Sequence, residues 1–241
     1  MLGKGTYARV YKGKYKDRDV AIKVFDELSM AFRLEDFYKE VAIMCLISHP
    51  KIVAFEGACI ERKRDSESTF IIVTELMEKG TLKSLVYQNP LNLENTLKYS
   101  IDIAEAMEHI HSVDIIHRDL KAENILINKD DIAKVADLGL AREIDIDSGM
   151  TVMVGTPKWE APEVLVKQKG KRSYTKSADV YSFGMVLFEM LAGKEPWSEI
   201  NDIFELKKHV VDRHKRPKIP KHVFPPLKAL IKTCWAKEPQ Q

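Results

Sequence analysis

The chain has 241 residues and a mass of 27.6 kDa, enough for one large domain or two modest lobes and too short for a string of domains. Apolar residues make up 45% and charged residues 31%, a globular composition that argues against disorder. With 38 basic and 36 acidic side chains the net charge is +2, too small for a nucleic-acid or membrane-surface footprint.

The texture of the chain changes near residue 80. Before it, Val20-Ala21-Ile22-Lys23-Val24-Phe25 and Phe70-Ile71-Ile72-Val73-Thr74 are apolar and β-branched and predict strands. Between them, Phe37, Val41, Met44 and Ile47 recur at three- and four-residue steps and predict a helix over 33–47. The charged run Glu61 to Glu67 reads as a solvated hairpin loop. Gly80 is the natural division. After it, Glu94 to Ser112 places Leu97, Ile101, Ala104 and Met107 on one helical stripe, and Ala178 to Leu191 reads as a deeply buried helix. These elements predict a small β-rich lobe with one helix over about 1–77, and a larger, mainly helical lobe over about 78–241. A cleft between two lobes is a usual ligand site. Cys45, Cys59 and Cys234 are odd in number and widely spaced, with no C-x-x-C pair; they predict a reducing compartment rather than a disulfide framework or a zinc ribbon. The longest apolar stretch, Tyr181 to Gly193, contains Glu189 and is too short to span a bilayer. The opening MLGKGTY lacks the apolar run of a signal peptide.

Three constellations carry chemistry. Gly3-Lys4-Gly5-Thr6-Tyr7-Ala8-Arg9-Val10 can bring backbone N–H groups close to a phosphate, or can be an ordinary hairpin turn; Ala8 stands where a third glycine would complete G-x-G-x-x-G. Lys23 interrupts an apolar strand, and Glu40 interrupts an apolar helix face. A buried carboxylate needs a partner, so the two either pair over an anionic ligand or reach water separately. His117-Arg118-Asp119-Leu120-Lys121-Ala122-Glu123-Asn124 concentrates polar groups ahead of a strand-like return, a density that packing alone does not ask for. Asp137-Leu138-Gly139 follows a second strand-like run and offers another carboxylate for a divalent cation.

Taken in order, these motifs resemble a eukaryotic protein kinase catalytic domain. The resemblance continues through Ala161-Pro162-Glu163, Asp179-Val180-Tyr181-Ser182-Phe183-Gly184 and Cys234-Trp235, and so covers nearly the whole chain. It implies the α+β, bilobal protein-kinase fold, with ATP and Mg²⁺ in the cleft. By this resemblance Leu2, Gly3, Lys4, Gly5 and Val10 cover the nucleotide, and Val10 and Ala21 roof the adenine. Lys23, held by Glu40, contacts the phosphates. Thr74 is the gatekeeper, Glu75 to Met77 form the hinge, and Leu126 is the adenine floor. Asp119 orients the substrate hydroxyl and accepts its proton, Lys121 lies near the γ-phosphate, and Asn124 and Asp137 hold Mg²⁺.

Lys121, two residues after Asp119, and Gly155-Thr156-Pro157-Lys158-Trp159 resemble Ser/Thr kinases. Val73 to Met77, Gly57-Ala58-Cys59 and Cys234-Trp235 have a tyrosine-kinase flavour. The mixture is similar to the tyrosine-kinase-like group of Ser/Thr kinases, near the mixed-lineage, Raf and Roco types, and implies a cytoplasmic signalling enzyme acting on protein substrates. A transient homodimer is compatible with it; nucleic acid and membrane insertion are not expected. Arg118 implies activation by a phosphate on the segment 137–163, with Thr151 first and Ser148 second, while Thr156 is expected to contact Asp119 and Lys121.

Three positions depart from the family. Leu138 replaces the usual phenylalanine and is expected to pack with Met44, His117 and Phe55. Ala8 stiffens the phosphate loop, and Glu160 stands where related kinases carry an uncharged residue. The chain begins near its glycine loop and stops at Gln241, about where an arginine partner for Glu163 is due. The expectation is a domain trimmed at both ends and weakened by roughly 3–5 kcal/mol. A nucleotide-binding scaffold without transfer and a dual-specificity kinase are the rival readings.

Overall fold

The structure, a computed structural model, describes residues 1–4, 8–25, 33–62, 68–143, 156–166 and 174–236. Its first part is a five-stranded antiparallel sheet. The strands are β1 (Gly3–Lys4), β2 (Ala8–Tyr15), β3 (Arg18–Phe25), β4 (Phe55–Arg62) and β5 (Ser68–Glu75), in the order β1-β2-β3-β5-β4. The β2–β3 turn places Lys16 and Asp17 at φ 47° and 61°, the left-handed pair that suits a tight hairpin between twisted strands. Helix α1 (Leu34–Leu46) packs Phe37 between Phe25 and Phe70, edge to face, with ring centroids 5.5 and 5.2 Å apart. Residues 63–67 of the charged run lie outside the described residues, but β4 and β5 pair antiparallel on either side of them.

The second part holds β6 (Gly80–Thr81), α2 (Leu82–Val86), α3 (Leu93–Ser112), β7 (Ile115–Ile116), β8 (Ile125–Ile127), β9 (Ala133–Val135), β10 (Arg142–Glu143), α4 (Pro162–Leu165), α5 (Lys176–Ala192), α6 (Ile203–Lys207) and α7 (Pro225–Cys234). Helix α5 lies at its centre, with Met185, Val186, Leu187, Phe188 and Met190 almost wholly buried, as its apolar sequence predicts. The fold is α+β, a β-rich part with one helix followed by a mainly helical one. Among the described residues no helix is long and apolar enough to cross a membrane.

Two expectations are corrected. In α3 the stripe of Leu97, Ile101, Ala104 and Met107 is not the buried one: Leu97 and Ile101 are 41% and 57% exposed and Ala104 is exposed, although Met107 is buried. Tyr99, Ile103, Ala106 and Ile110 face the core instead. Both series have helical spacing. The buried one was masked by its polar neighbours Ser100 and Asp102, which find partners inside: Ser100 donates to the Thr96 carbonyl, and Asp102 accepts from Lys51 and from the Ala133 N–H. Gly80 lies just past the crossing rather than on it. The Lys79 N–H already bonds the Ile127 carbonyl, and Gly80 (φ 74°) pairs with Ile127 in the sheet β6-β8-β9.

The segment between α1 and β4 is stitched to the second part. Val135 N–H donates to the Lys51 carbonyl at 2.8 Å, Val53 N–H donates to the Val135 carbonyl at 2.9 Å, and Lys51 pairs with the buried Asp102. Strand β9, which leads directly into Asp137, is therefore fixed from both sides.

Candidate active site

Strand alternation builds one wall of a cleft of about 390 Å³. The register pairs Val10 with Lys23, Lys23 with Ile72, and Ala21 with Thr74, so these side chains share one face of the sheet. All of them line the cleft, with Leu2, Gly3, Glu40, Glu75, Met77, Leu126, Asn124 and Asp137. Eleven of the thirteen residues expected to hold the nucleotide are thus on one cavity. The other two are Lys4, whose backbone lies in β1 and whose side chain is outside the described residues, and Gly5, which lies outside them altogether. Sequence reasoning missed Met44, Val53, Ile72, Val135 and Ala136 in the lining. For Ile72 the signal was present: it stands two residues before Thr74 on the same strand face.

At the inner end, Lys23 Nζ lies 2.7 Å from Glu40 Oε1 and 3.2 Å from Asp137 Oδ1. Burial alone would push the ammonium down, but the charges of Asp137 and Glu40 outweigh it and hold Lys23 above its ordinary value. The Lys23 charge holds Asp137 below the usual carboxylate range, against burial. Burial raises Glu40, against the pull of Lys23. One cation between two carboxylates leaves a negative balance. Asp137 is half exposed on the cleft, and Lys23 engages only its Oδ1. Its φ of 59° is a left-handed conformation that aspartate tolerates better than most residues.

The Glu75 carboxylate is engaged away from any ligand. It takes two bonds from Lys134 Nζ, at 2.7 and 2.8 Å, and one from the Ala54 N–H at 2.7 Å. Leu138 is buried in the main core. Met44 packs against that cluster and also against the cluster that holds Phe37, beside Phe55.

The loop 117–124 is held from below. Asp179 of α5 accepts from His117 N–H at 2.9 Å and Arg118 N–H at 3.0 Å, which fixes Arg118 at φ 70°. The His117 tautomer follows from its partners. Nε2 faces the Ala136 carbonyl at 3.1 Å and must donate; Nδ1 faces the Asp119 N–H at 3.3 Å and must accept. Asp119 then receives Thr156 Oγ1 on Oδ1 at 2.8 Å. Its Oδ2 receives Asn124 Nδ2 at 3.0 Å and Lys121 Nζ at 2.8 Å, and Lys121 Nζ also donates to Thr156 Oγ1 at 2.8 Å. The expected contact of Thr156 with Asp119 and Lys121 is therefore present. Arg118 stacks on the Tyr174 ring, 4.3 Å from its centroid; Ser148 and Thr151 lie outside the described residues. Glu160 is buried.

The fold, two parts with a cleft between sheet and helical core, is of the protein-kinase kind, and the comparisons agree. The whole chain, residues 1–241, matches the family described as protein tyrosine and serine/threonine kinase; the chain belongs to this family. It is 50% identical, over its full length, to a protein of Dictyostelium discoideum named probable serine/threonine-protein kinase, of which it spans 14%. It is 36% identical over 98% of its length to the serine/threonine-protein kinase STY17 of Arabidopsis thaliana, spanning 40% of that protein. It is also 38% identical over its full length to the Dictyostelium discoideum dual specificity protein kinase shkA, spanning 45% of it. The chain thus spans less than half the length of each of these relatives.

Proposed function

We propose that this kinase domain transfers the γ-phosphate of ATP to serine and threonine hydroxyls of proteins. The observation that carries the reading is the Asp119–Lys121–Thr156 triangle beside Asn124 and Asp137. A carboxylate is held ready for a hydroxyl proton, with a lysine touching both it and the neighbouring threonine. Lys23, fixed by Glu40, binds the nucleotide phosphates. Asp119 orients the acceptor hydroxyl and takes its proton as the oxygen bonds to phosphorus and the bond to ADP breaks. Lys121 balances charge that moves onto the transferred group. The reaction needs in-line positioning and charge neutralisation more than covalent help.

The residues present fit Mg²⁺. Asp137 is ionised and half exposed, and the Asn124 amide gives both its N–H donors to Asp119, at 2.8 and 3.0 Å, leaving its oxygen as the remaining ligand. These are hard oxygen donors, and the cluster of Lys23, Glu40 and Asp137 carries a surplus negative charge. Bound there, the ion would neutralise phosphate charge. Free thiols at Cys45, Cys59 and Cys234 support a cytoplasmic setting. The division into lobes at about residue 77 is supported by the change from β5 to the sheet β6-β8-β9.

Phosphoamino-acid analysis of a basic protein labelled from ATP tests the reading: phosphoserine or phosphothreonine is expected, and no transfer by the folded chain overturns it. The likeness to a relative named dual specificity protein kinase favours a second reading, in which phosphotyrosine appears as well.

A further inference from the structure

The small net charge of the whole chain hides a segment with a large one. Residues 207–232 hold nine of the 38 basic side chains and one of the 36 acidic ones, a net charge of +8, which leaves −6 on the rest of the chain. Seven of the nine are lysines. Among the described residues, nine lysines elsewhere, Lys79 and Lys176 included, contact a carboxylate. Among the same residues, no lysine of 207–232 makes an ion pair, and neither does Arg213. Arg216 is engaged inside the protein. Its guanidinium bonds the Trp235, Val210 and Lys215 carbonyls and lies over the Tyr181 ring.

Packing turns these cations outward together. Leu206 and Val210 are buried with Leu165, Trp197 and Ile200, while Val223, Leu227 and Ile231 are buried in the main core. Six of the eight cations other than Arg216 are exposed, and Lys207 and Lys228 are half-buried. The stretch after α6 folds back on itself: the Arg213 N–H donates to the Lys208 carbonyl at 3.1 Å, and the Lys215 N–H to the His209 carbonyl at 2.9 Å. Arg216 Nε ties it to the Trp235 carbonyl at 2.8 Å, one turn past Lys232 of α7. Phe224, Lys228 and Lys232 follow one another at four-residue steps and share a face of that helix. Phe204, one turn before Lys207 and Lys208, is 77% exposed, more than any other large apolar side chain among the described residues, and Phe224 is 49% exposed.

We propose that the surface formed by residues 204–232 attaches the protein to an anionic lipid bilayer, with the lysines among the headgroups and Phe204 and Phe224 inserted at their base. Lysine is a point charge and lacks the planar fork that arginine offers to one phosphate or one base edge. A field of lysines, with one of the two arginines turned inward, suits the spread charge of many headgroups, which attracts each cation without a fixed geometry. The exposed rings add apolar insertion, the second contribution that stable peripheral attachment requires. A nucleic acid offers the same phosphate charge, so the test must separate the two.

The test is cosedimentation of the whole chain with vesicles of phosphatidylcholine alone and of phosphatidylcholine with phosphatidylserine. It is run at about 0.1 and 1 M salt, over which the Debye length falls from about 10 to 3 Å. Binding is expected only with phosphatidylserine, and it should be lost at the higher salt. Each cation near an anionic surface contributes about fivefold, so Lys228→Gln combined with Lys232→Gln should weaken binding about twentyfold. Phe204→Ser should weaken it about tenfold, because an inserted ring leaves water. Lys12→Gln combined with Lys14→Gln, at exposed positions of β2, should bind as the parent does. A parent chain that ignores both vesicles, or binds both equally, overturns the proposal. So does a Lys12 and Lys14 variant that loses as much as the Lys228 and Lys232 variant. An oligonucleotide bound more tightly, per phosphate, than the phosphatidylserine vesicles also overturns it and assigns the surface to nucleic acid. No phosphate transfer is measured, so a parent that binds vesicles but transfers nothing defeats the kinase reading alone.

Discussion

Glu40 and Glu189 each break an otherwise apolar helix face, and the protein resolves them in opposite ways. Glu40 sits under the small sheet against the Lys23 ammonium at 2.7 Å, and that ammonium reaches on to Asp137 at the cleft. Glu189 sits in the helical core against an amide, an indole and a hydroxyl, with no cation in contact among the described residues. Burial raises both carboxyls. A glutamate neutralised by a cation joins the charge balance of the cleft, so whatever enters the cleft acts on it. A glutamate satisfied by neutral donors holds three segments in register whether or not a ligand is present. The first arrangement is suited to binding phosphate and the second to fixing geometry.

The largest effect is expected at Lys23. Lys23→Met leaves Glu40 buried without its cation, which should cost about 3 kcal/mol of stability and reduce phosphate transfer by on the order of a thousandfold. Because Glu40 must then take up a proton to stay buried, the loss should shrink as pH is lowered; urea melts across pH check this.

Glu189→Gln should sharpen the other side. The folded state keeps the Glu189 proton up to about 7, and the unfolded state loses it near 4.5. Between those values the folded chain binds more protons, so this group removes stability as pH rises, by about 3 kcal/mol in full. The urea midpoint of Glu189→Gln should therefore gain on the parent steadily from pH 4.5 to 7; a constant difference would contradict the burial account. Thr156→Val removes the hydroxyl shared by Asp119 and Lys121 and should lower kcat about tenfold with ATP KM unchanged, read by steady-state kinetics. Leu138→Phe, which adds volume at a buried apolar position, should shift stability least, by about 1–2 kcal/mol in a denaturant melt.

The same pair of glutamates marks how far the sequence could be read. Glu40 was legible as one of two alternatives, because the carboxylate and a lysine each stood alone in apolar runs and either pair or reach water separately. Asp119, Lys121, Asn124 and Asp137 stood out as motifs, while Ala21 and Thr74 were reached only through the family resemblance; the register that puts them with Lys23 on one face comes from the fold. Glu189 was read only as an interruption of an apolar stretch, because its partners are an amide, an indole and a hydroxyl that leave no charge pattern to notice. The buried face of α3 was misread for a related reason: Asp102 and Ser100 look solvated until Lys51, Thr96 and Ala133 are brought to them by the fold. Ile72, Val53 and Val135 complete the cavity through contacts between distant strands.

The deciding measurement is the initial rate of γ-phosphate transfer from ATP to a basic protein substrate by the parent chain and by Asp119→Asn, with ATP KM determined for both. Loss of a positioned proton acceptor predicts a rate about a thousandfold lower in the variant, with ATP KM within about twofold of the parent. Equal rates in the two proteins would contradict the role given to Asp119 and, with it, the catalytic reading of the cleft.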